Sequence, residues 1–292
     1  MLNSIHLKVA DFSIKLDSET SIELEEGYLP FVSEDENGMD DVTIHCFSGI
    51  SAIDLQKVEL VFEAKNEFQK FYSIFRSGTG LGFIIYNQQT KDEVQQIAFL
   101  DETYSHWKVY SEPSSEAGLW PLKYPFGPIV MHYLTVKSNS VMIHASCIFD
   151  GKKGRIFTGF SGNGKSTISK LWADAGNRII NDDRIIIRKI VDDYVAYNTP
   201  MYYKDIPKKT VLNTIYLISH STENKIKKIS GAQAVSKVMA FCIQNNFEQK
   251  LIQNHLNFLS ELCTHIPVYE LGFVPDASVV NFILTNETGG TK

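Results

Sequence analysis

The chain has 292 residues, 43% of them hydrophobic and 21% charged, the balance of an ordinary globular protein with apolar side chains enough for one large core or two small ones. No apolar run approaches the roughly 18 residues of a membrane span. The N-terminal "MLNSIHLKVADFSIKLD" lacks the basic run and apolar core of a secretory leader, so a cytoplasmic protein is expected. The net charge of -6 is unevenly spread: residues 1–120 carry 8 Lys and Arg against 21 Asp and Glu, whereas residues 121–292 carry 20 against 13. A positive second half suits an anionic ligand. It lacks the basic and aromatic interleaving of a nucleic-acid surface, so neither nucleic acid nor membrane is an expected partner. Cys46, Cys147, Cys242 and Cys263 are scattered in apolar contexts without metal spacing, which reads as buried free thiols in a reducing compartment.

Short segments rich in β-branched and aromatic residues come first: "SIHLKVA", "DVTIHCF", "KVELVFEA", "FQKFYSIFR", "LGFIIYN", "QQIAFL" and "HWKVY". Gly, Asn and Asp clusters separate them, as between strands. One such cluster, "SEDENGMDD" at 33–41, lacks the calcium-loop spacing and reads as an exposed acidic loop. The Pro-rich "EPSSEAGLWPLKYPFGP" at 112–128 reads as the connection between a β-rich N-terminal domain, 1–120, and a second domain, 121–292.

The second half opens with a helical pattern, Ile129, Val130, Tyr133 and Leu134. Two apolar strands joined by a "DGKKG" turn follow. A Gly-rich segment then leads into the helix "KSTISKLWADAG", closed by Gly176. "RII" reads as a short strand ending at Asn181, Asp182 and Asp183, with "RIIIRKI" and "YVAYN" as further strands. Beyond these the expectation is a strand ("VLNTIYLIS"), two helices ("GAQAVSKVMAFCI" and "QKLIQNHLNFLSELC"), a strand ("PVYELGF") and a last helix from Pro275. The fold class is thus mixed α/β.

The Gly-rich segment, Gly159 to Ser166 ("GFSGNGKS"), fits G-x-x-x-x-G-K-[ST] at every position. In that pattern glycines let the chain curl until successive backbone N–H groups face phosphate oxygens, and the positive end of the following helix adds to the field. Gly159, Ser161, Gly162, Asn163, Gly164, Lys165, Ser166 and Thr167 form the expected nucleotide cradle. Lys165 would reach the β- and γ-phosphates, and the Ser166 hydroxyl would ligate Mg²⁺.

One helix later stand Asp182 and Asp183. If their strand lies beside the one feeding the loop, its carboxyl end brings both carboxylates to the γ-phosphate. Neighbours on an extended chain point to opposite sides, so one can face the metal and the other an incoming hydroxyl. Those are the requirements of phosphoryl transfer to an alcohol. A solvated turn is the plainer alternative. His144, on the strand before the hairpin, reads either as a core histidine or as a third member of the site.

The pattern "IHAS…GFSGNGKST…G…RIINDDR" resembles the catalytic domain of HPr kinase/phosphorylase and its relatives. His144, Lys165 and the Asp182–Asp183 pair fall where that family places its histidine, loop lysine and aspartates. The later "NTPMYY…VLNTIYLIS…NKIKKISGAQAVSKVM…PVYELGF" is also similar to kinase-like members of that family, so the resemblance spans roughly residues 125–285. It implies a phosphoenolpyruvate-carboxykinase-like P-loop fold and an ATP- and Mg²⁺-dependent kinase acting on a hydroxyl, of serine by analogy, in a peptide, protein or small molecule. Asp182 would then be the general base, Asp183 would join Ser166 at the metal, and His144 would support them. Such kinases assemble, so a homo-oligomer is a possible form.

The chain has no counterpart of the Arg-Gly-rich signature that this family carries after the aspartates. Its N-terminal part does not resemble that enzyme's, so neither the phosphorylase reaction nor HPr as substrate is expected. Two alternatives stay open: a nucleotide-binding regulator without transfer activity, and carboxykinase chemistry, for which Arg155, Arg178, Arg184 and Arg188 are the available cations. Lys204, Lys208 and Lys209 read as a solvent-facing run or a basic rim. Tyr202 and Tyr203 read as core packing or an adenine platform.

Overall fold

The structure is a computed structural model, and it describes residues 2–34, 39–50, 58–90, 93–113, 118–243 and 248–288. The expected acidic loop and Pro-rich connection therefore lie in part, at 35–38 and 114–117, outside the described residues. Mixed α/β structure forms two compact units. The first holds the described residues up to Lys137 and Pro200–Ile206, and the second holds Ser138–Thr199 and the described residues from Pro207 onward.

In the first unit, β1 (Asn3–Val9), β2 (Phe12–Ser18), β3 (Val42–Ser48), β4 (Leu60–Lys65), β5 (Lys70–Ser77), β6 (Gly80–Tyr86), β7 (Val94–Leu100) and β8 (His106–Ser111) form one sheet. Their order is β1-β2-β3-β8-β7-β6-β5-β4. Strand β2 goes unread in the sequence even though Phe12, Ile14 and Leu16 alternate inward. The β1–β2 hairpin turns on Ala10 (φ 51) and Asp11 (φ 58), a left-handed pair usually signalled by Asn or Gly. Helix α1 (Phe126–Lys137) is buried on nearly every side. Its Phe126 and Tyr133 pack edge-on against Trp107 of β8, at 5.1 and 5.9 Å between ring centres. Tyr202 is 85% exposed and Tyr203 37%, so neither supplies the core packing the sequence suggested.

The second unit carries β9 (Ser140–Phe149), β10 (Gly154–Thr158), α2 (Lys165–Asp174), β11 (Arg178–Asn181), β12 (Arg184–Ile190), β13 (Asp193–Asn198) and β14 (Lys209–His220). It continues with β15 (Lys225–Ile229), α3 (Gly231–Met239), α4 (Gln249–His265), β16 (Val268–Phe273) and α5 (Ser278–Thr288). Strands β9 and β14 are long enough to serve two sheets. The first half of β9 pairs with β12, which continues through β13 to the start of β14. The second half of β9 lies between β10 and β11, and β10 pairs with β14, then β16 and β15.

In that second sheet β10 and β11 are both antiparallel to β9, while β14 and β16 are parallel to β10. Four strands therefore end at one edge, the edge where open α/β sheets place ligands. Inward residues alternate between two cores. Ile156, Leu217 and Val268 face α3 and α4 through Val238, Phe258 and Leu262. Phe157, Ile218 and Phe273 face α2 and α5 through Ile168, Trp172 and Ile283.

Candidate functional site

The loop leaves β10 after Thr158 and enters α2 at Lys165. Gly162 (φ 83) and Gly164 (φ 89) are left-handed, the conformation that costs other residues most. Space matters as well: a Cβ on Gly164 would lie 2.8 Å from Cζ of Phe273, and one on Gly159 would lie 2.8 Å from the Ile218 carbonyl oxygen. No side chain caps α2, so its first-turn N–H groups remain available for an anion. Ser161, Ser166 and Thr167 are exposed along this turn. Lys165 is buried and donates from Nζ to the carbonyls of Gly159 (2.9 Å) and Phe160 (3.2 Å). Burial pulls its pKa down, and the charge of Asp183 opposes this.

Two hydrogen bonds brace the loop against β14. Asn163 Nδ2 donates to the Ile218 carbonyl at 3.0 Å, and His220 Nε2 donates to the Gly162 carbonyl at 2.9 Å. His220 also stacks on Phe273 of β16, with ring centres 5.6 Å apart. Sequence reasoning missed His220. Its only trace is a polar residue closing a long apolar strand, and the strand's place beside β10 is not legible locally.

The expectation that the aspartate strand lies beside β10 is corrected: β11 pairs with β9, on the side away from β10. The carboxylates still reach the loop's edge, because β10 and β11 run in the same direction. Ala145 of β9 is the common point, since it pairs with Thr158 and its N–H donates to the Asp183 carbonyl at 2.9 Å.

Asp183 Oδ1 lies 3.2 Å from His144 Nε2, and its Oδ2 accepts from Arg184 Nε at 2.8 Å. The His144 hydrogen bond, with the Arg184 charge behind it and against burial, brings the Asp183 pKa down to about 2. Asp182 is exposed, and its carboxylate forms no ion pair among the described residues; its backbone N–H donates to Asn181 Oδ1 at 2.8 Å. His144 is the one exposed position between Ser140 and Ile148 of β9, so of its two readings the core histidine is ruled out.

The structure thus brings Lys165, Asp183, His144 and the loop to one edge. It does not gather the arginines. Arg155 is buried in ion pairs with Asp150 and Glu287, and Arg178 opens β11 at the end away from Asp183. Among the described residues no group of three or more His, Cys, Asp or Glu could hold a metal by itself, and no helix is long and apolar enough to cross a membrane. The four cysteines are free, with Cys263 only partly buried.

No family model matches the chain. No curated protein matches it. Among solved structures, the Hpr(Ser) kinase/phosphatase from Coxiella burnetii aligns with a TM-score of 0.31 and 10% identity, over 50% of this chain and 95% of that one.

Proposed function

We propose that the second unit is a phosphate-loop kinase of the phosphoenolpyruvate-carboxykinase-like kind, moving the γ-phosphate of ATP to a hydroxyl. One observation carries this reading: β10 and β11 end at the same edge, so the Lys165 ammonium lies within the field of the Asp183 carboxylate. The loop N–H groups and Lys165 hold the phosphates. The acceptor oxygen forms a bond to the γ-phosphorus while the bond to the β–γ bridging oxygen breaks. ADP leaves with that electron pair, and Asp182 takes the hydroxyl proton. His144 and Arg184 hold Asp183 ionised and oriented.

Mg²⁺ suits this donor set, because it is usually bound by one or two protein oxygens together with substrate phosphates. Ser166 and Asp183 would hold it, and it would neutralise charge on the transferring group. The lack of a self-sufficient protein cage among the described residues is consistent with a metal shared with the nucleotide.

Equilibrium binding of a fluorescent ATP analogue tests the reading. Lys165→Ala is expected to weaken binding roughly tenfold or more, the loss of a charge-assisted contact to phosphate. A wild-type protein that bound no nucleotide would sink the proposal. Binding without ATP consumption, whatever acceptor is supplied, would make the protein a nucleotide-dependent regulator instead.

The same assay addresses His220. His220→Ala removes the donor to the Gly162 carbonyl and is expected to raise the nucleotide Kd about 2- to 10-fold. The rate at saturation should change little. His220→Gln retains an N–H donor and should recover part of the affinity; no recovery would mean that ring packing on Phe273, and not the hydrogen bond, braces the loop.

A further inference from the structure

Beside the loop, on the α3 face of the sheet, lies a cavity of about 630 Å³, within the range of small-ligand pockets. Three observations tie it to the reacting end of the nucleotide. Its wall includes Gly159 and Phe160, whose carbonyls hold the Lys165 ammonium. It includes Phe241, whose carbonyl accepts the His144 N–H at 2.9 Å, and His144 in turn meets Asp183. The first turn of α2 packs on the opposite face of the sheet, so the loop lies between that turn and the cavity. The lysine of such a loop reaches the β- and γ-phosphates, and the carbonyls that hold Lys165 belong to the cavity wall, so the cavity adjoins the terminal-phosphate side of the loop.

The lining has a definite chemistry. Phe160, 68% exposed, stands edge-on over Phe241 at 5.1 Å, and with Leu217 they form an apolar wall. Opposite stand Lys225 and Lys227, on one face of β15, and Lys237 of α3. Glu270 is the single carboxylate in this lining; it is ion-paired with Lys237 and stands in register with Lys227. The stem of Lys225 crosses Gly272, where a Cβ would come within 3.1 Å of it. Three ammonium groups against one carboxylate leave a positive surplus that a bound anion would neutralise.

We infer that this cavity is the acceptor pocket, and that the acceptor is a small organic anion bearing a hydroxyl, a hydroxy acid or a sugar phosphate. This rests on the kinase reading. In the transfer the acceptor hydroxyl becomes a phosphate ester, ATP becomes ADP, and the hydroxyl proton is released through Asp182, so atoms and charge balance.

The test uses the full chain and five probes: D-glycerate, glycerol 3-phosphate and glucose 6-phosphate, with glycerol and glucose as neutral counterparts. Calorimetry without nucleotide reads binding, and coupled ADP release reads turnover. At least one anion is expected to bind and to stimulate ATP consumption, and its neutral counterpart to do neither. The double variant Lys225→Gln, Lys227→Gln should weaken that anion tenfold or more while the affinity for the ATP analogue stays within twofold. Lys165→Ala should leave anion binding intact.

Four results would overturn the assignment. The first is anion binding that vanishes in Lys165→Ala yet survives the lysine pair, which would put the anion in the phosphate loop. The second is glycerol and glucose binding as well as their anions. The third is no anion binding at millimolar concentration. The fourth is an anion that binds at the lysines without raising ATP consumption, which would make the cavity a site but not the acceptor's. Failure of the wild type to bind ATP analogue is a separate outcome that sinks the kinase reading, and the anion measurement remains independent of it.

Discussion

Glu287→Ala is expected to destabilise the second unit by about 3–5 kcal/mol, the cost of leaving a buried charge without its partner. Arg155, on β10, is 1% exposed. Its Nε and Nη2 donate to the two oxygens of Glu287 at 2.8 and 2.7 Å, and its Nη1 donates to Asp150 at 2.8 Å. The guanidinium lies 5.0 Å from the centre of the Trp172 ring, and Tyr216 adds its hydroxyl to Glu287 at 2.7 Å. Removing Glu287 leaves Nε and Nη2 without acceptors in a place water does not reach, while Nη1 keeps Asp150 and the Lys153 carbonyl. Glu287→Gln keeps the shape and one acceptor, and should fall between wild type and Ala.

Acid supplies a second test of the same cluster. Burial works to raise the pKa values of Glu287 and Asp150, but hydrogen bonds outweigh it: Arg155 and Tyr216 bond Glu287, and the Lys152 and Lys153 backbone with Arg155 bonds Asp150, so both carboxyls end lower than usual. Their stabilisation is present above the ordinary carboxylate range and is lost as pH falls through the depressed values. Urea midpoints measured from neutral pH into acid should therefore drop less steeply in Glu287→Gln than in wild type. Equal midpoints for Glu287→Ala and wild type at neutral pH would show that the cluster does not hold α5 to β10. That outcome matters for the site, since β10 is the strand that aims the phosphate loop.

Local signals are legible where one residue type sets the backbone. The loop and α2 were legible because Gly162, Gly164 and Gly176 all take left-handed conformations that glycine alone adopts cheaply. Most strands were legible from alternating or continuous apolar runs. Strand β2 escaped because its turn uses Ala10 and Asp11. Strand β15 escaped because "KIKKI" looks like a solvated charge run, and its Lys225 and Lys227 turn out to line a cavity. Pairing partners lie beyond local reach. Nothing in "RIIN" says that β11 sits against β9 with a register shift between Ile179 and Asn181. The division of labour at the site was half legible: two adjacent aspartates announce two directions. Which one His144 and Arg184 would claim depends on the β9–β12 register that sets His144 opposite Arg184.

That register motivates the prediction with the largest effect on activity. A general base has to accept a proton near the operating pH. Asp183, held down to about 2 by His144 and Arg184, is a poor proton acceptor and a good neighbour for cations. In the proposed transfer Asp182, exposed and outside any ion pair among the described residues, is the carboxylate left for the hydroxyl. Asp182→Asn is therefore expected to lower kcat about 10²- to 10⁴-fold, while the Kd for the ATP analogue stays within about threefold because no phosphate contact is lost. Asp183→Asn should behave differently. It removes the charge facing Lys165 and leaves His144 and Arg184 without their anion, so nucleotide affinity in the presence of Mg²⁺ should fall along with turnover. Measuring kcat and Kd separately for both variants tells the roles apart. Normal turnover in Asp182→Asn, beside an Asp183→Asn variant that binds nucleotide fully yet transfers nothing, would exchange the two assignments. In that case the His144 contact would serve to tune a base rather than to fix a cation site.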